Sequence, residues 1–553
     1  MNFGRFFITG SLLYAATAGA QWTSNTVLNT SVAIVPKSQQ NTQCISDTKN
    51  GIIIGWDDNR NNLTNSTDIF VQRLNSDGIA KWVANGVAVC TSTGTQRSVS
   101  ICEGGNGSVI LTWEDNRSGN YDIYAQKIDS NGVAQWTPDG VVITNALTNQ
   151  KSPKMVDDNA GGAIIAWEDS VNFYFDIYAQ YINAAGSVVW TANGIPICNA
   201  PNLQNNPKID DNGFGGAIIT WQDKRTNIDY DIYAQNVNSA GTLLWTTNGV
   251  QVCSTSGTQS NPHIEPDGFG GAVIAWTDKR NVLDYDIYAQ RLDGFGVPQW
   301  TPNGMAVCNA INNQSGLDIK YLGSNGVAMS WKDLRTGSFD VYSQIISLSG
   351  VAVMTTNGSK ISNGIRSLNP NNMADGNGGY IVAWEDSSAL GFDIKSQKIN
   401  STGLIKWPSG GITVSDAVND QVSVAQVYDG KGGAIYIWED KRNTIDYDVY
   451  AQEIDSTGMV GITEYKNPEG VLNFYPNPST GIVQIKIDSK NIPDQLNISV
   501  FDFLGNLVLS QSLKGAETIP LDLSGKLNAG LYFYTITNNE NQKNYCGKFI
   551  FEN

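Results

Sequence analysis

Short stretches of alternating apolar and polar residues recur along most of this chain at a nearly constant spacing. The clearest stretch is Asp-Ile-Tyr-Ala-Gln, which begins at Asp122 and Asp176 and returns with small variations in six further places. Alternation with a period of two residues is typical of β-strands. Glycine-rich turns separate the stretches, so the pattern predicts an all-β protein built from repeated hairpins.

A Trp-x-Asp motif marks each repeat. It occurs at Trp56, Trp113, Trp167, Trp221, Trp276, Trp331, Trp384 and Trp438. We number the repeats 1 to 8 in this order. Each repeat is predicted to hold four short strands: one before a Gly-Gly turn, one with Trp-x-Asp, the Asp-Ile-Tyr-Ala-Gln strand, and an outer strand with a second tryptophan.

The second tryptophan indicates how the two ends of the repeat array are joined. It is present as Trp82, Trp136, Trp190, Trp245, Trp300 and Trp407. Met354 replaces it in repeat 6, and repeat 8 lacks it, whereas Trp22 is left over near the start of the chain. Pairing this first strand with repeat 8 removes two exposed sheet edges. We therefore predict an eight-bladed β-propeller over residues 21–461, closed by the strand around Trp22.

Most repeated polar residues are interpreted as scaffold, because a ligand normally meets only a few blades. The motif extends to Trp-x-Asp-x-Arg with Arg60, Arg117, Arg225, Arg280, Arg335 and Arg442. We expect the Asp to accept backbone N–H groups and the Arg to pair with it, or with the Asp that opens the following strand.

Metal and cofactor sites have little support in the sequence. The single histidine, His263, argues against His-based zinc sites and Ser-His-Asp catalysis, and we interpret it as an incidental replacement of a lysine. The Asp-Gly-x-Gly-Gly turns lack the alternating ligands of a calcium loop. No cofactor is predicted. Calcium stays open as an alternative, with these paired acids as the next place to look: Asp229/Asp231, Asp284/Asp286 and Asp446/Asp448.

Four of the seven cysteines occupy one equivalent position in four repeats. They are Cys90, Cys198, Cys253 and Cys308. Equivalent positions of different blades are too far apart for a disulfide, which needs about 6 Å between Cα atoms. We therefore expect small buried thiols.

Repeats 3 and 7 depart from the pattern and supply the candidate ligand-binding residues. Both lack the Arg and carry apolar loops instead, and in an eight-membered ring they would face each other. The candidates are Phe173, Tyr174, Phe175 and Phe392. The alternative is that these aromatic rings only pack locally. Repeat 1 has a longer polar loop over residues 61–67, and no catalytic residue is predicted.

Residues 1–20 have the features of a secretory signal peptide: a positive start at Arg5, an apolar stretch, and the small residues Ala18 to Ala20. A mature chain from Gln21, exported and without a transmembrane helix, is expected. Lys and Arg number 35 against 52 Asp and Glu, a formal net charge of −17. Such an acidic chain is a poor partner for nucleic acids and anionic membrane surfaces.

The repeats end near residue 461, and residues 462–472 are predicted to form a linker. Residues 473–553 contain short strands typical of a small β-sandwich. They include Tyr-Pro-Asn-Pro from Tyr475, an Asp-x-x-Gly turn at Asp502, Gly-Leu-Tyr from Gly530 and a terminal Lys-Phe. This segment resembles the C-terminal type A sorting domains of the type IX secretion system of Bacteroidota. The resemblance implies passage across the outer membrane after export through the periplasm, with the protein then secreted or held at the cell surface.

Two function classes fit the repeats. The first is a non-enzymatic propeller that binds a glycan, polymer or protein through one face. The alternative is a carbohydrate-active enzyme, a glycosidase or lyase, which needs carboxylates at a set separation and one raised pKa. A spacer or adhesin without a small ligand is a third class. A cluster of unrepeated carboxylates and Arg at one mouth of the central channel would favour the enzyme.

Overall fold

The computed structural model describes residues 22–23, 25–61, 67–170, 174–460, 472–487, 495–502, 507–538 and 544–552. The predicted signal peptide and nearly all of the predicted linker lie outside these ranges. The chain divides into two compact parts, Met1–Ile462 and Thr463–Asn553. The described residues are almost entirely β-structure, with one short 3₁₀ helix at Gly323–Asn325.

The first four repeats contain these strands, preceded by β1 (Thr30–Ala33): β2 (Gln39–Ser46), β3 (Ile52–Asp58), β4 (Asp68–Leu74) and β5 (Val87–Cys90); β6 (Gln96–Glu103), β7 (Val109–Asp115), β8 (Asp122–Ile128) and β9 (Val141–Thr144); β10 (Gln150–Asp157), β11 (Ala163–Asp169), β12 (Asp176–Ile182) and β13 (Ile195–Cys198); β14 (Gln204–Asp211), β15 (Ala217–Asp223), β16 (Asp231–Val237) and β17 (Val250–Cys253).

The last four repeats contain these strands: β18 (Gln259–Pro266), β19 (Ala272–Asp278), β20 (Asp286–Leu292) and β21 (Met305–Cys308); β22 (Gln314–Tyr321), β23 (Val327–Asp333), β24 (Asp340–Ile346) and β25 (Ser359–Lys360); β26 (Ser367–Ala374), β27 (Tyr380–Ser387), β28 (Phe392–Ile399) and β29 (Ile412–Ser415); β30 (Gln421–Tyr428), β31 (Ala434–Asp440) and β32 (Asp448–Ile454).

Each of repeats 1 to 7 folds into a four-stranded antiparallel sheet in chain order. The two central strands are buried on both faces, because Ile, Val, Ala and Trp dominate them. The second tryptophan precedes the outer strand and does not lie in it. Trp82 stands before β5, in a turn that follows a bridge between Leu74 and Ala80. The predicted Trp-bearing outer strand is therefore displaced along the chain by a few residues.

The fourth strand of repeat 8 comes from the start of the chain. Strand β1 pairs antiparallel with β32, with Thr30 opposite Ala451 and Ala33 opposite Val449. The outer strand of repeat 1 has the same register and the same irregularity against β4. The predicted pairing of the first strand with repeat 8 is confirmed, although the strand lies eight residues after Trp22.

Neighbouring sheets contact each other in order through their first strands, here called the inner strands. The contacts run from β2 to β6, β10, β14, β18, β22, β26 and β30, and β30 also contacts β2. Side chains repeat between sheets in the same way. Trp82 donates its indole N–H to Ser130 O of the next repeat at 3.2 Å and packs against Gly132. Trp22 donates to Ser76 O at 2.9 Å and packs against Gly78.

The two ends of the sheets carry different loops. Because each sheet is an antiparallel meander, its first and third turns lie at one end and its second turn at the other. We call the first the glycine-turn end, as at residues 212–216 and 293–296. The other is the hairpin-loop end, which carries loops such as residues 224–230.

The carboxyl-terminal part has seven strands: β33 (Leu472–Tyr475), β34 (Ile482–Ile487), β35 (Gln495–Phe501), β36 (Leu507–Lys514), β37 (Thr518–Asp522), β38 (Gly530–Asn538) and β39 (Asn544–Phe551). They form two antiparallel sheets, ordered β33-β34-β37 and β36-β35-β38-β39. Both sheets contribute to one buried cluster that includes Val483, Leu521, Ile498 and Phe549. Two sheets around a shared core are the layout of a small sandwich.

Candidate functional site

The Trp-x-Asp-x-Arg motif is a buried structural unit. In repeat 5, Trp276 Nε1 donates to Asp278 Oδ2 at 2.7 Å. Arg280 binds both carboxylate oxygens, at 2.9 and 2.6 Å, and Asn303 O at 2.8 Å. Its guanidinium also lies 3.7 Å from the ring centre of Tyr288. The other five Arg-bearing repeats form the same carboxylate pair. The expected Asp–Arg pairing is thus confirmed.

The turn aspartates are similarly occupied by the chain itself. Asp267 Oδ1 accepts N–H groups from Phe269 and Gly271 at 2.8 and 2.9 Å, and its Oδ2 binds Arg291 at 2.9 Å. Asp284 accepts a backbone N–H from the loop that precedes the next inner strand. Among the described residues no group of three or more His, Cys, Asp or Glu side chains is placed to hold a metal ion. The absence of a cofactor, with calcium as the alternative, stays a prediction.

The cysteines with described side chains are all free thiols. They are Cys44, Cys90, Cys102, Cys198, Cys253 and Cys308. The four at the equivalent repeat position are buried, as expected. Burial raises the pKa of Cys253 to about 11.

The predicted ligand-binding aromatics do not form one cluster. Phe173 lies outside the described residues. Tyr174 is exposed at the hairpin-loop end of repeat 3. Phe175 and Phe392 are half-buried, each within its own repeat.

Phe175 and Phe392 belong to a repeated position rather than to a special loop. Lys151 Nζ lies 5.5 Å from the ring centre of Phe175, and Arg366 Cζ lies 6.0 Å from that of Phe392. The same aromatic position faces a cation in other repeats as Tyr121, Tyr230, Tyr285, Phe339 and Tyr447. Phe175 and Phe392 thus occupy a position that most repeats share. The binding of a ligand by Phe175, Phe392 and Tyr174 stays a prediction.

An unrepeated cluster of ionisable side chains lies on consecutive inner strands. It occupies the fifth and seventh residues of these strands in repeats 3 to 6, positions that hold no charged side chain in repeats 1, 2, 7 and 8. We call it the inner-strand cluster; its members are Lys154, Lys208, His263, Asp318, Asp210, Glu265 and Lys320.

Direct contacts join these side chains across neighbouring sheets. Lys320 Nζ lies 2.9 Å from Glu265 Oε1. His263 Nδ1 lies 3.8 Å from Asp318 Oδ1, and Asn372 N donates to Asp318 Oδ2 at 2.6 Å. The side chains of His263 and Asp318 keep 27% and 23% of their surface exposed, so water or a ligand can reach them.

The surroundings of the cluster shift its protonation states. Burial, followed by the charge of Glu265, raises the pKa of Asp210 to about 8. Burial also raises the pKa of Asp318 to about 7. Burial and the nearby Lys208 lower the pKa of His263 to about 3, which leaves the imidazole neutral. With its pKa raised to about 8, the carboxyl group of Asp210 keeps its proton at neutral pH and can donate a hydrogen bond or a proton.

Sequence reasoning missed this cluster. His263 was interpreted as incidental, and the other six side chains were not singled out. The available signal was the succession of Lys, His and Asp at one strand position in consecutive repeats, which an alignment on the inner strands would have revealed.

The carboxyl-terminal part has a recognised family. Residues 473–552 match the family model described as "Secretion system C-terminal sorting domain". This segment is a type IX secretion sorting domain. The sorting domain marks the protein for export, to the cell surface or the medium, and implies contact with the type IX secretion machinery. Within the described ranges, none of the helices has the length and apolar character needed to cross a membrane.

Comparisons of the whole chain give only distant likenesses. No curated protein matches it. A protein of unknown function from Dyadobacter fermentans is 9% identical, with a TM-score of 0.37, over 66% of this chain and 96% of that one. A PL25 ulvan lyase bound to a saccharide is 10% identical, TM-score 0.39, over 64% and 91%. An α-L-arabinofuranosidase from Fusarium graminearum is 9% identical, TM-score 0.34, over 65% and 92%.

Proposed function

We propose that residues 21–461 form an eight-bladed β-propeller closed by β1, exported with the aid of a signal peptide at residues 1–20 and joined by a linker to the sorting domain. Two side-chain contacts support closure because they repeat interior contacts at the junction of repeats 8 and 1. Val99 N, the fourth residue of its inner strand, donates to Asp57 Oδ1 of the preceding repeat at 3.3 Å, and Thr42 N at the same strand position donates to Glu439 Oε1 of repeat 8 at 3.4 Å. The packing of Trp22 on Gly78 repeats in the same way.

In a closed propeller the inner strands line a central channel. We infer that the inner-strand cluster binds part of a glycan, polymer or protein there, without catalysis. The observation that carries this function is the restriction of ionisable residues to two strand positions in consecutive repeats. Scaffold residues recur around the ring, whereas residues present in only a few neighbouring blades face one side of a ligand.

The second candidate is a carbohydrate-active enzyme, a glycosidase or lyase. It is favoured by the unrepeated carboxyl groups of Asp210, Glu265 and Asp318 on consecutive inner strands, where burial and then the charge of Glu265 raise the pKa of Asp210 to about 8. Glycoside cleavage requires two carboxyl groups, one of them with a raised pKa.

The two candidates are separated by one screen on the full secreted protein. Binding to a panel of polysaccharides is measured in parallel with the release of reducing ends and of unsaturated products. Binding without product supports the first function, and product formation that is lost in Asp210→Asn supports the second. Failure to bind any polysaccharide or co-secreted protein would contradict both.

A matched pair of variants tests the place of binding. Lys320→Gln removes a cation of the inner-strand cluster, and Lys406→Gln makes the same change at an exposed outer turn. We expect Lys320→Gln to weaken binding about tenfold, equivalent to about 1.4 kcal/mol, and Lys406→Gln to leave it unchanged. Equal affinities would place the ligand elsewhere.

A further inference from the structure

Three phenylalanines are exposed at the glycine-turn end of repeats 4 and 5. The exposed fractions are 79% for Phe214, 71% for Phe269 and 85% for Phe295. The first two occupy the tip of the turn after the inner strand. Other repeats carry polar or small residues at that tip: Lys49, Asn106, Ala160, Ser324, Asn377 and Lys431. Like the inner-strand cluster, these rings are a local departure from the repeat.

The three rings belong to adjoining turns. Phe214 reaches from repeat 4 to the turn of repeat 5, where a Cβ on Gly270 would lie 2.7 Å from its Cε2 atom. The turn that contains Gly294 and Phe295 contacts the turn that bears Phe269, since a Cβ on Gly294 would lie 3.7 Å from Phe269 O. They therefore form one discontinuous aromatic surface, here called the phenylalanine platform.

The platform adjoins the inner-strand cluster. Phe214 and Phe269 each follow a cluster residue, Asp210 and Glu265, by four positions along the chain. At a rise of about 3.3 Å per residue, the Cα atom of each phenylalanine lies within roughly 13 Å of the Cα atom of the acid that precedes it. Arg291 adds a guanidinium 5.8 Å from the ring centre of Phe269. Exposed apolar rings beside charged and hydrogen-bonding groups are thus brought to one end of the same repeats.

This end is opposite to the one that carries Tyr174. Phe214 and Phe269 lie in first turns of their sheets and Phe295 lies in a third turn, whereas Tyr174 lies in a second turn. The hairpin-loop end and the glycine-turn end therefore offer two different binding faces.

On the basis of the proposed binding function, we propose that Phe214, Phe269 and Phe295 form a stacking platform for a polysaccharide, which reaches the inner-strand cluster from the glycine-turn end. A pyranose ring has an apolar C–H face and a polar edge, and the electron-rich face of an aromatic ring attracts C–H groups. Separate rings on successive turns match successive sugars of a chain. A stable protein partner instead buries about 800 Å² of total surface on each side, which is more than three separate ring faces supply.

The platform is tested by affinity electrophoresis of the full secreted protein in gels that contain xylan, laminarin, polygalacturonate or alginate. The test variant combines Phe214→Ala, Phe269→Ala and Phe295→Ala, and the control Leu283→Ala removes an apolar side chain, 83% exposed, at the hairpin-loop end of repeat 5. We expect the triple variant to lose affinity about tenfold or more for the retarding polysaccharide, and the control to stay within about twofold of wild type. The neutral and acidic gels show which class of polysaccharide is bound.

The results separate failure of the phenylalanine platform from failure of the proposed binding function. Unchanged retardation of the triple variant, or an equal loss of retardation in Leu283→Ala, would overturn the platform. If the triple variant binds as wild type while Lys320→Gln does not, the platform is wrong and the proposed binding function stands. Absence of retardation in all four gels would also overturn the platform. Because the three rings are exposed, the melting temperature of the triple variant should equal that of wild type, which separates lost binding from lost folding.

Discussion

Replacing Trp22 by alanine should destabilise the repeat region more than the same change at an interior position. Trp22 is 2% exposed and donates its indole N–H to Ser76 O at 2.9 Å. Trp300 makes the equivalent contacts, donating to Leu348 O at 3.2 Å and packing against Gly350. Truncating the buried Trp22 should cost about 3–5 kcal/mol of unfolding free energy, and truncating the half-buried Trp300 should cost less.

The difference comes from what each tryptophan holds in place. The segment after Trp22 lies near the start of the chain and is attached by side-chain hydrogen bonds and by the pairing of β1 with β32. Arg442 donates to Val27 O and Leu28 O at 2.7 and 3.0 Å, and Gln452 donates to the carbonyl of Thr23 at 2.8 Å. At about 1 kcal/mol each, release of the segment would remove about 3 kcal/mol more. Trp300 stands inside a continuous chain, where no such release follows.

The assay is thermal unfolding of residues 21–553 followed by circular dichroism, with wild type, Trp22→Ala and Trp300→Ala at the same concentration. We expect the lowest melting temperature for Trp22→Ala. Deleting residues 21–35 should lower it at least as far. Equal losses for the two variants, or a larger loss for Trp300→Ala, would refute the argument that the first strand completes the last repeat.

Three further predictions concern protonation, the repeated motif and the thiols. The melting temperature should fall from pH 5 to pH 8, because the pKa values of Asp210 and Asp318 are raised to about 8 and 7 by burial. The folded chain keeps protons there that unfolded carboxyls release near pH 4, so stability is lost as pH rises; a rising melting temperature would contradict this. Asp278→Asn should cost about 3–5 kcal/mol in urea unfolding, since Arg280 loses its paired charge, whereas exposed Asp77→Asn should cost under about 0.5 kcal/mol. The four buried repeat cysteines should resist iodoacetamide until the protein is denatured, as followed by mass spectrometry; complete labelling of the native protein would refute their burial.

Features that recur in every repeat could be predicted from the sequence because each copy supports the others. The strand order, the pairing of Asp with Arg and the joining of the first strand to repeat 8 were of this kind. The role of Met354 followed too: it packs against Gly403 as Trp300 packs against Gly350.

Features present in only two or three repeats could not be found by the same reasoning. Asp210, Glu265 and Lys320 each resemble an ordinary surface residue when viewed alone, and only the contacts between inner strands bring them together. Because the loops vary in length, Phe175 and Phe392 look like parts of unusual loops when the repeats are aligned on Trp-x-Asp. Alignment on the aspartate of the following strand shows them in a repeated cation-facing position.

The hydrogen bond between Thr23 and Gln452 joins residues 429 positions apart. Such a contact cannot form until almost the whole repeat region has been synthesised and has reached the same compartment, and contacts this distant in sequence slow folding. Strand β1 therefore stays unpaired during export until β32 has also been exported. Interruption of translocation before residue 448 would leave two unsatisfied sheet edges, which are sites where chains aggregate.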